Sequence, residues 1–238
     1  MTGGQPSTPR AANSLRVVTY NVHSQRDDQA ALGAVVRGLA PDVVIVQEAP
    51  RRFRWRHKSA ELARSFGLVV VAGGLPSLGN LVLTSLRVRV HNTWCLRYPL
   101  TPGRHLRGAA FAECSVGRQR FTVVGSHLST DPVERPSQAA GLKKAILELE
   151  TPVILGADLN ENSAGTAWQM VVDGLVDTAV AADAADRFTY SCANPRDRID
   201  ALFVDRRLSV VSYDVFDSPE ARRASDHFPI VADVLLPE

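Results

Sequence analysis

The sequence lacks several features that would assign it directly to a class of protein. No stretch approaches the roughly 18 apolar residues of a membrane span. The first fourteen residues also lack the apolar segment that a signal peptide needs, and we find no internal repeat. We therefore expect a soluble, cytoplasmic protein without a membrane span.

Cysteine is scarce. Cys95, Cys114 and Cys192 are an odd number, and their positions do not follow a metal-ligand spacing. Each lies in or beside an apolar or strand-like run, so we interpret all three as reduced core thiols. This pattern gives no support for a disulfide framework or a structural zinc site.

An excess of charge of one sign is also missing. The 27 basic and 25 acidic side chains leave a formal net charge of +2. This balance does not support a general basic coat for nucleic acid, so any affinity for a polyanion must come from a local patch.

The length and composition indicate one domain with a sizeable core. The chain has 238 residues, of which 45% are hydrophobic. Residues 1–14 are rich in Gly, Pro, Ser and Thr, and we expect them to form a flexible leader. Residues 15–238 would form a single domain, which we expect to be a monomer.

Apolar runs alternate with fewer amphipathic segments. The pattern predicts strands at residues 15–22, 42–47, 68–72, 79–84, 87–95, 107–116, 119–127, 152–157, 199–204, 208–216 and 229–236. It predicts helices at residues 28–39, 58–66, 134–150 and 164–173. The adjacent strands around Gly117 indicate a hairpin, so the sheets should be mixed. Because one open sheet of this width is uncommon, we predict an α+β fold with two packed sheets and helices outside.

Polar side chains that handle metals and phosphates follow the predicted strands in five short segments. These segments are residues 19–23, 46–48, 125–129, 156–160 and 225–228. They carry oxygen or imidazole groups and no thiolate, which suits Mg²⁺ or Mn²⁺ better than a structural zinc ion.

Each of these residues alone also has an ordinary structural interpretation. Glu48 could form a salt bridge with a following arginine, and Asn21 could hydrogen-bond a turn. Asp158 and Asn160 would point to one side of an extended chain, but they could also form an Asx turn.

The adjacent Asp226 and His227 could be an incidental surface pair. The five segments together nevertheless favour a hydrolase that uses a hard divalent cation to cut a phosphate ester.

The chain resembles the endonuclease/exonuclease/phosphatase superfamily from residue 16 to residue 236. The resemblance rests on motifs in the order of the family: Thr19-Tyr20-Asn21, Gln47-Glu48, Gly79-Asn80, Ser126-His127-Leu128, Asp158-Leu159-Asn160, Arg198-Ile199-Asp200 and Ser225-Asp226-His227. It implies a four-layer sandwich, in which two mixed sheets pack face to face and helices cover both outer sides. One departure is Ala157, where the family usually has glycine.

The resemblance also implies a metal site and a substrate contact. Glu48 would be the main metal ligand, assisted by Asn21 and Asp226. Asn80 would contact the substrate.

The implied catalytic residues are His127, Asp158, Asn160, Asp200 and His227. Asp158 and Asn160 would orient the attacking water and the scissile phosphate. His227, held by Asp200, would be a general base or a phosphate-contacting group. His127 would bind or protonate near the departing oxygen. The resemblance leaves open which histidine transfers which proton.

A basic run follows Glu48 and bears on the substrate. Arg52, Arg54 and Arg56 alternate with Phe53 and Trp55, and such a segment could bind nucleic acid through phosphate contacts and base stacking. The alternative is a solvated loop and first helical turn, with both aromatic rings packed inward.

A second basic stretch contains Arg104, His105 and Arg107. It could add phosphate contacts or simply be an exposed hairpin approach.

Three functions remain open at this stage. The first, which the sequence favours, is hydrolysis of phosphodiester bonds in DNA or RNA. The second is hydrolysis of a small-molecule or lipid head-group phosphate, of the inositol-phosphate or sphingomyelin type. The third is a non-catalytic binding protein on the same fold.

Overall fold

The computed structural model describes residues 11–237, and the apolar runs within them form twelve strands. The strands are β1 (Ser14–Asn21), β2 (Val43–Gln47), β3 (Val69–Gly74), β4 (Asn80–Thr84), β5 (Arg89–Arg97), β6 (Gly108–Val116), β7 (Gln119–His127), β8 (Val153–Asp158), β9 (Leu175–Asp177), β10 (Asp200–Asp205), β11 (Ser209–Val215) and β12 (Ile230–Leu235). All the predicted strands are present, and their ends differ from the predicted ones by at most two residues.

Six α-helices connect these strands within the described residues. They are α1 (Gln29–Leu39), α2 (Trp55–Phe66), α3 (Arg135–Leu147), α4 (Thr166–Val172), α5 (Thr178–Ala181) and α6 (Pro219–Ala224). The Asp28 side chain begins α1 by accepting a hydrogen bond from the Ala31 backbone N–H, as an N-cap residue does. The buried face of α1 includes Leu32, Val35 and Val36, as the sequence predicts.

The described strands form two six-stranded mixed sheets, in the orders β11-β12-β1-β2-β4-β3 and β5-β6-β7-β8-β10-β9. β1 pairs with β2 in parallel, and β7 pairs with β8 in parallel. β6 and β7 form the predicted hairpin, in which Gly117 has a φ of 60°. The prediction of mixed sheets is confirmed.

The two sheets pack closely face to face. A Cβ atom on Gly156 of the second sheet would lie 2.7 Å from Thr19 Oγ1 of the first. Helices α1, α2 and α6 pack together against the first sheet. A second apolar cluster joins α3 and α4 to the other sheet, around Trp168 and Phe203. The predicted four-layer α+β sandwich is confirmed.

Three short elements were not predicted. β9, α5 and α6 contain three, four and six residues. Segments of this length contain too few residues to show a strand or helix period. The Asp177 and Ser218 side chains cap α5 and α6, so capping rather than apolar periodicity marks these two helices.

The predicted leader lies mainly outside the described residues, which begin at Ala11. Residues 11–13 form a turn, and the Asn13 amide donates a hydrogen bond to the Leu236 carbonyl at 3.0 Å. Ser14, the last residue of the predicted leader, is already part of β1. Across the described residues, the helices are all too short or too polar to cross a membrane.

Candidate active site

The strand register brings the predicted catalytic side chains to one end of the sandwich. β7 and β8 run in parallel and end side by side, so His127 is paired with Asp158. β10 runs in the opposite direction and begins with Asp200, which is also paired with Asp158. His227 lies just before β12, and an isolated bridge joins it to Tyr190. Residues far apart in sequence therefore meet between the two sheets.

A cleft of about 1100 Å³ opens at this end of the molecule. Seven of the residues predicted from the sequence line it: Glu48, Arg52, His127, Asp158, Asn160, Asp226 and His227. Asn21 and Asp200 lie behind this lining and contact it through hydrogen bonds.

Asp158 is the centre of the hydrogen-bond network and is almost fully buried. Its Oδ2 accepts a hydrogen bond from Asn21 Nδ2 at 2.8 Å and lies 3.3 Å from His127 Nε2. Its Oδ1 accepts from the backbone N–H of Asn160 at 3.0 Å. The alternative Asx-type turn is therefore present, and the same carboxylate also faces the site. The Asx turn therefore does not remove Asp158 from the cleft, and its proposed role toward the water and the phosphate stays a prediction.

His127 lies in a buried, electropositive position. The Arg107 guanidinium is 3.0 Å from its Nδ1, and a guanidinium can only donate, so Nδ1 is the acceptor and Nε2 carries the proton. Nε2 then donates toward Asp158 at 3.3 Å. Asn160 Nδ2 also lies 3.0 Å from this Nε2, and it donates to the Leu128 carbonyl. Burial lowers the pKa of His127 to about 3, despite the nearby Asp158 carboxylate, and Arg107 acts in the same direction. His127 is therefore a neutral donor.

His227 has the opposite electrostatic environment. Its Nδ1 lies 2.9 Å from Asp200 Oδ2, and its Nε2 lies 4.0 Å from both Asp158 Oδ2 and Asp226 Oδ1. Burial alone would lower its pKa, but the Asp200, Asp158 and Asp226 carboxylates together raise the pKa of His227 to about 10. The Tyr190 ring covers the imidazole, with 4.7 Å between ring centroids. Because Asp200 holds Nδ1, the Nε2 atom is the one that faces the cleft.

The donor atoms of the cleft fit a hard divalent cation. Asp158, Asp200 and His227 are buried, and each offers a ligand atom within 4.8 Å of the other two. Glu48 and Asp226 add carboxylates that line the same cleft. Oxygen and imidazole donors with no thiolate suit a hard divalent cation better than a structural zinc ion.

Two of the predicted metal ligands, Glu48 and Asn21, differ in how available their side chains are for a cation. Glu48 has a left-handed backbone, with a φ of 56°, and its Oε2 accepts a hydrogen bond from Ser24 Oγ at 2.9 Å. Asn21 is buried, and its side chain donates to Asp158 and accepts from the His23 N–H. Asn21 thus serves directly to position Asp158, a contact that the sequence did not indicate.

The structure contradicts the substrate contact predicted for Asn80. This side chain has no exposed surface, and its Nδ2 donates to the carbonyls of Ser77 and Gly108, both at 2.8 Å. Asn80 therefore joins β4 to β6, and its side chain does not line the cleft. The order of motifs along the chain gave no information on burial.

The basic run after Glu48 divides into two parts. Arg52 lines the cleft, but Arg54 and Arg56 do not. The reason is that α2 begins at Trp55, so Arg54 becomes its exposed N-cap residue and Arg56 packs over the Trp55 ring at 4.5 Å. These two arginines therefore lie outside the cleft lining, on the exposed start of α2. The alternative of an inward Phe53 is wrong, since Phe53 is 84% exposed.

Two residues of the cleft were not assigned from the sequence. The sequence leaves open whether Arg107 contacts a phosphate or belongs to an exposed hairpin, and the structure buries it beside His127. No sequence pattern indicates Tyr190, because it lies far from His227 in the sequence and belongs to no segment of polar residues. Pairing between distant segments, which a single sequence does not show, brings it to the site.

Comparison with known proteins establishes the family. The model of the Endonuclease/Exonuclease/phosphatase family matches residues 18–227, so the chain belongs to this family. Members of the family are hydrolases that act on phosphoesters. The resemblance seen in the sequence is confirmed. The comparison with curated proteins finds no match.

Three solved structures illustrate the shared fold. A family protein from Bacteroides thetaiotaomicron is 18% identical, with a TM-score of 0.81, over 94% of this chain and 98% of that chain. The mannosyl-6-phosphatase Bt3783 of the same organism is 17% identical, with a TM-score of 0.80, over 93% and 100%. D. rerio TDP2, complexed with single strand DNA product, is 18% identical, with a TM-score of 0.75, over 93% and 98%.

Proposed function

We propose that the protein is a divalent-metal-dependent phosphodiesterase that uses Mg²⁺ or Mn²⁺ and attacks a phosphodiester in line with an activated water. The observation that carries this proposal is the convergence of Glu48, Asp158, His127 and His227 on one cleft. These side chains come from four different strand ends, and an arrangement with only a structural role would not need all of them at a solvent-filled opening.

Glu48 and Asp226 are the proposed metal ligands, and Asn21 orients the neighbouring Asp158. A divalent cation, when bound, would neutralise charge on the phosphate and make a water more acidic. Glu48 is suited to this role because its carboxylate lines the cleft and has one described hydrogen-bond donor, the Ser24 hydroxyl.

The remaining side chains would act on the phosphate and on the attacking water. Asp158, with Asn160 beside it, would orient the water, because it is rigidly held and its Oδ2 faces both imidazoles. His227 would contact a phosphate oxygen through Nε2, with Asp200 fixing the ring, because its raised pKa keeps the imidazole protonated at neutral pH. His127 would donate through Nε2 to the departing oxygen. Rigidly placed donors of this kind stabilise charge that develops in the transition state.

Nucleic acid is the substrate that the sequence favours, and the cationic lining of the cleft supports an anionic substrate in general. Arg51, Arg52, Lys58 and Arg107 all line this cleft. One relative was solved with a single strand DNA product and another is a mannosyl-6-phosphatase, so the family fold accommodates both kinds of phosphoester. A small-molecule or lipid head-group phosphate is the alternative substrate.

Hydrolysis of bis-p-nitrophenyl phosphate tests the proposal, with p-nitrophenyl phosphate and single-stranded DNA assayed in parallel. We expect cleavage of the diester with Mg²⁺ or Mn²⁺ and none with a chelator. His227→Ala should lose at least about 10²-fold in kcat, the usual cost of removing a donor that stabilises transition-state charge. His57→Ala is the matched control, because His57 is an exposed histidine on α2 that does not line the cleft.

Calorimetry with Mg²⁺ separates ligation from catalysis. We expect Glu48→Ala to weaken metal binding, and His227→Ala to leave it nearly unchanged. Equal affinity in wild type and Glu48→Ala would remove Glu48 from the metal site. Turnover of the monoester alone would reassign the protein as a phosphomonoesterase.

A further inference from the structure

Large apolar side chains are exposed on the loops around the cleft. Twelve large hydrophobic residues are exposed among the described residues, and six of them lie on loops at the cleft end. We call these six the apolar rim: Phe53, Leu75, Leu100, Leu106, Val133 and Phe188. Single exposed hydrophobic residues are ordinary, but loop residues are usually polar. The position of six of the twelve on loops at the cleft end therefore indicates a functional surface.

The sheet register places these loops at the same end of the molecule. Phe53 follows the end of β2, and Val133 follows the end of β7. Leu100 and Leu106 lie between β5 and β6, and Gly108 at the start of β6 is paired with His127 at the end of β7. Leu75 lies between β3 and β4, next to the paired Gly74 and Asn80.

Phe188 completes the rim on the side of Tyr190. The neighbouring Thr189 accepts a hydrogen bond from the Phe228 backbone N–H, which fixes this loop beside His227. The other exposed hydrophobics lie elsewhere. Leu86 and Leu147 lie at the opposite end, Val69, Val70 and Val211 lie on the edge strands β3 and β11, and Val180 lies on α5.

Packing within the chain does not account for the two most exposed members of the rim. Phe53 and Val133 are each 84% exposed, so they contribute almost nothing to the described core. A partner that covers them would remove this apolar surface from water, at about 25 cal/mol per Å² buried.

Basic side chains flank Phe53, the most exposed ring of the rim, and indicate the charge of that partner. Arg52 and Arg54 on either side of Phe53 are both exposed, and the exposed His105 precedes Leu106. Apolar side chains interspersed with arginine are what a peripheral protein presents to an anionic bilayer, where the apolar groups enter the interface and the arginines meet the head groups.

The aliphatic members of the rim distinguish a bilayer from a nucleic acid. Leu100, Leu106 and Val133 have no π-face on which a base could stack, whereas stacking is the main apolar contact that single-stranded nucleic acid offers.

We propose that the apolar rim docks the cleft end onto the surface of an anionic phospholipid bilayer, so that the cleft receives a phosphoester from the lipid head groups. The docking surface rests on the rim alone. The identity of the substrate rests in addition on the proposed phosphodiesterase function.

Sedimentation with vesicles of phosphatidylcholine and phosphatidylglycerol tests the docking surface. We expect the wild type to bind at low salt and to bind less as salt screens the arginines. The double variant Phe53→Ser with Val133→Ser should bind at least about tenfold more weakly, since each apolar side chain loses its burial. Both positions are highly exposed, so the variant should keep the unfolding midpoint of the wild type.

The matched control is Leu86→Ser with Leu147→Ser, which removes two equally apolar, exposed side chains from the opposite end. It should bind vesicles like the wild type. Equal binding by the rim variant and the wild type, equal loss in both double variants, or no binding by the wild type would each overturn the proposal. Loss of binding to a single-stranded oligonucleotide, with vesicle binding unchanged, would assign the rim to nucleic acid instead.

Hydrolysis of bis-p-nitrophenyl phosphate separates the two proposals. The rim variant should keep the wild-type rate on this soluble diester, because neither replaced residue lines the cleft. Vesicle binding without any esterase activity would retain the docking surface and reject the proposed function. Esterase activity without vesicle binding would retain the proposed function and reject the docking surface.

Discussion

Arg107 carries a buried positive charge with no carboxylate within 4 Å among the described residues. Its guanidinium contacts His127 Nδ1, and its Nε is buried without a hydrogen-bond partner in the described part of the chain. Burial lowers the pKa of Arg107, although the Asp158 and Glu48 carboxylates oppose this effect. A cation held in this way at the edge of a cleft is ready to receive an anion.

Replacement of Arg107 should therefore reduce catalysis more than stability. We expect Arg107→Ala to lower kcat/KM for a phosphodiester by about 10²-fold, the scale typical of a lost charge-stabilising donor. Arg107→Lys should recover part of this loss, because it restores the charge but not the second donor. Steady-state kinetics measure the effect. Variants with wild-type kinetics would show that Arg107 only fills space beside His127.

The cysteine thiols provide a second prediction at the residue scale. Burial raises the pKa of both Cys114 and Cys192 to about 12, so at pH 8 both are protonated thiols rather than reactive thiolates. Cys95 on β5 is only partly buried. We expect iodoacetamide at pH 8 to label Cys95 first in the native protein, and all three cysteines in urea. Mass spectrometry of the labelled peptides gives the order, and early labelling of Cys114 would contradict it.

At the scale of elements, a buried ion pair joins β9 to the segment that begins β10. Arg198 donates to both Asp177 oxygens at 3.0 to 3.1 Å and also stacks over Trp168 at 4.6 Å. The Asp177 carboxylate caps α5 as well, through the Ala179 N–H. The Asp200 strand is therefore anchored to the edge of its sheet by one carboxylate.

Asp177→Ala should destabilise the protein by about 3–5 kcal/mol, because it leaves the Arg198 charge buried and unpaired. Asp173→Ala is the control, since the Asp173–Lys143 pair lies at the surface, where solvent screens it, and its loss should change stability far less. Urea unfolding measures both changes. Equal destabilisation by the two variants would show that the buried pair stabilises the protein no more than the surface pair does.

The sequence predicted the elements that bury a long apolar face and missed short elements that depend on contacts with other segments. β7 was predicted at its observed ends, because nine residues give a clear strand pattern that stops at His127. β9 and α5 depend instead on the tertiary contacts of Asp177, which no local pattern reveals. Asn80 was misassigned for a related reason: its place in a motif is visible in the sequence, but its burial between β4 and β6 is not.

At the scale of the whole molecule, the distance between the two sheets determines the site. Glu48 follows a strand of the first sheet, whereas Asp158 ends a strand of the second. Gly156 sets this distance near the cleft, because its missing Cβ would lie 2.7 Å from Thr19 Oγ1 and 2.9 Å from Ile45 Cδ1.

Gly156→Ala should force the sheets apart and cost about 1–3 kcal/mol, the usual cost of overpacking a core. Gly38→Ala is the matched control. Gly38 lies within α1 with nothing within 4 Å of an added Cβ, so the change should stabilise by about 0.5–1 kcal/mol. Thermal unfolding gives both values. Unchanged stability of Gly156→Ala would show that the sheets can adjust without cost.

The pairing of β1 with β12 also affects when the fold can be completed. Arg16 and Asp233 are paired although they lie 217 positions apart, and β12 lies between β1 and β11. Because β12 follows both β1 and β11 in the chain, these two strands must wait for it during synthesis. Asp226 and His227, two of the proposed site residues, lie just before β12, so a nascent chain acquires them together with the strand that joins β1 to β11. A translation product that stops before Ser225 would therefore lack both residues, and it would leave the edges of β1 and β11 open to aggregation.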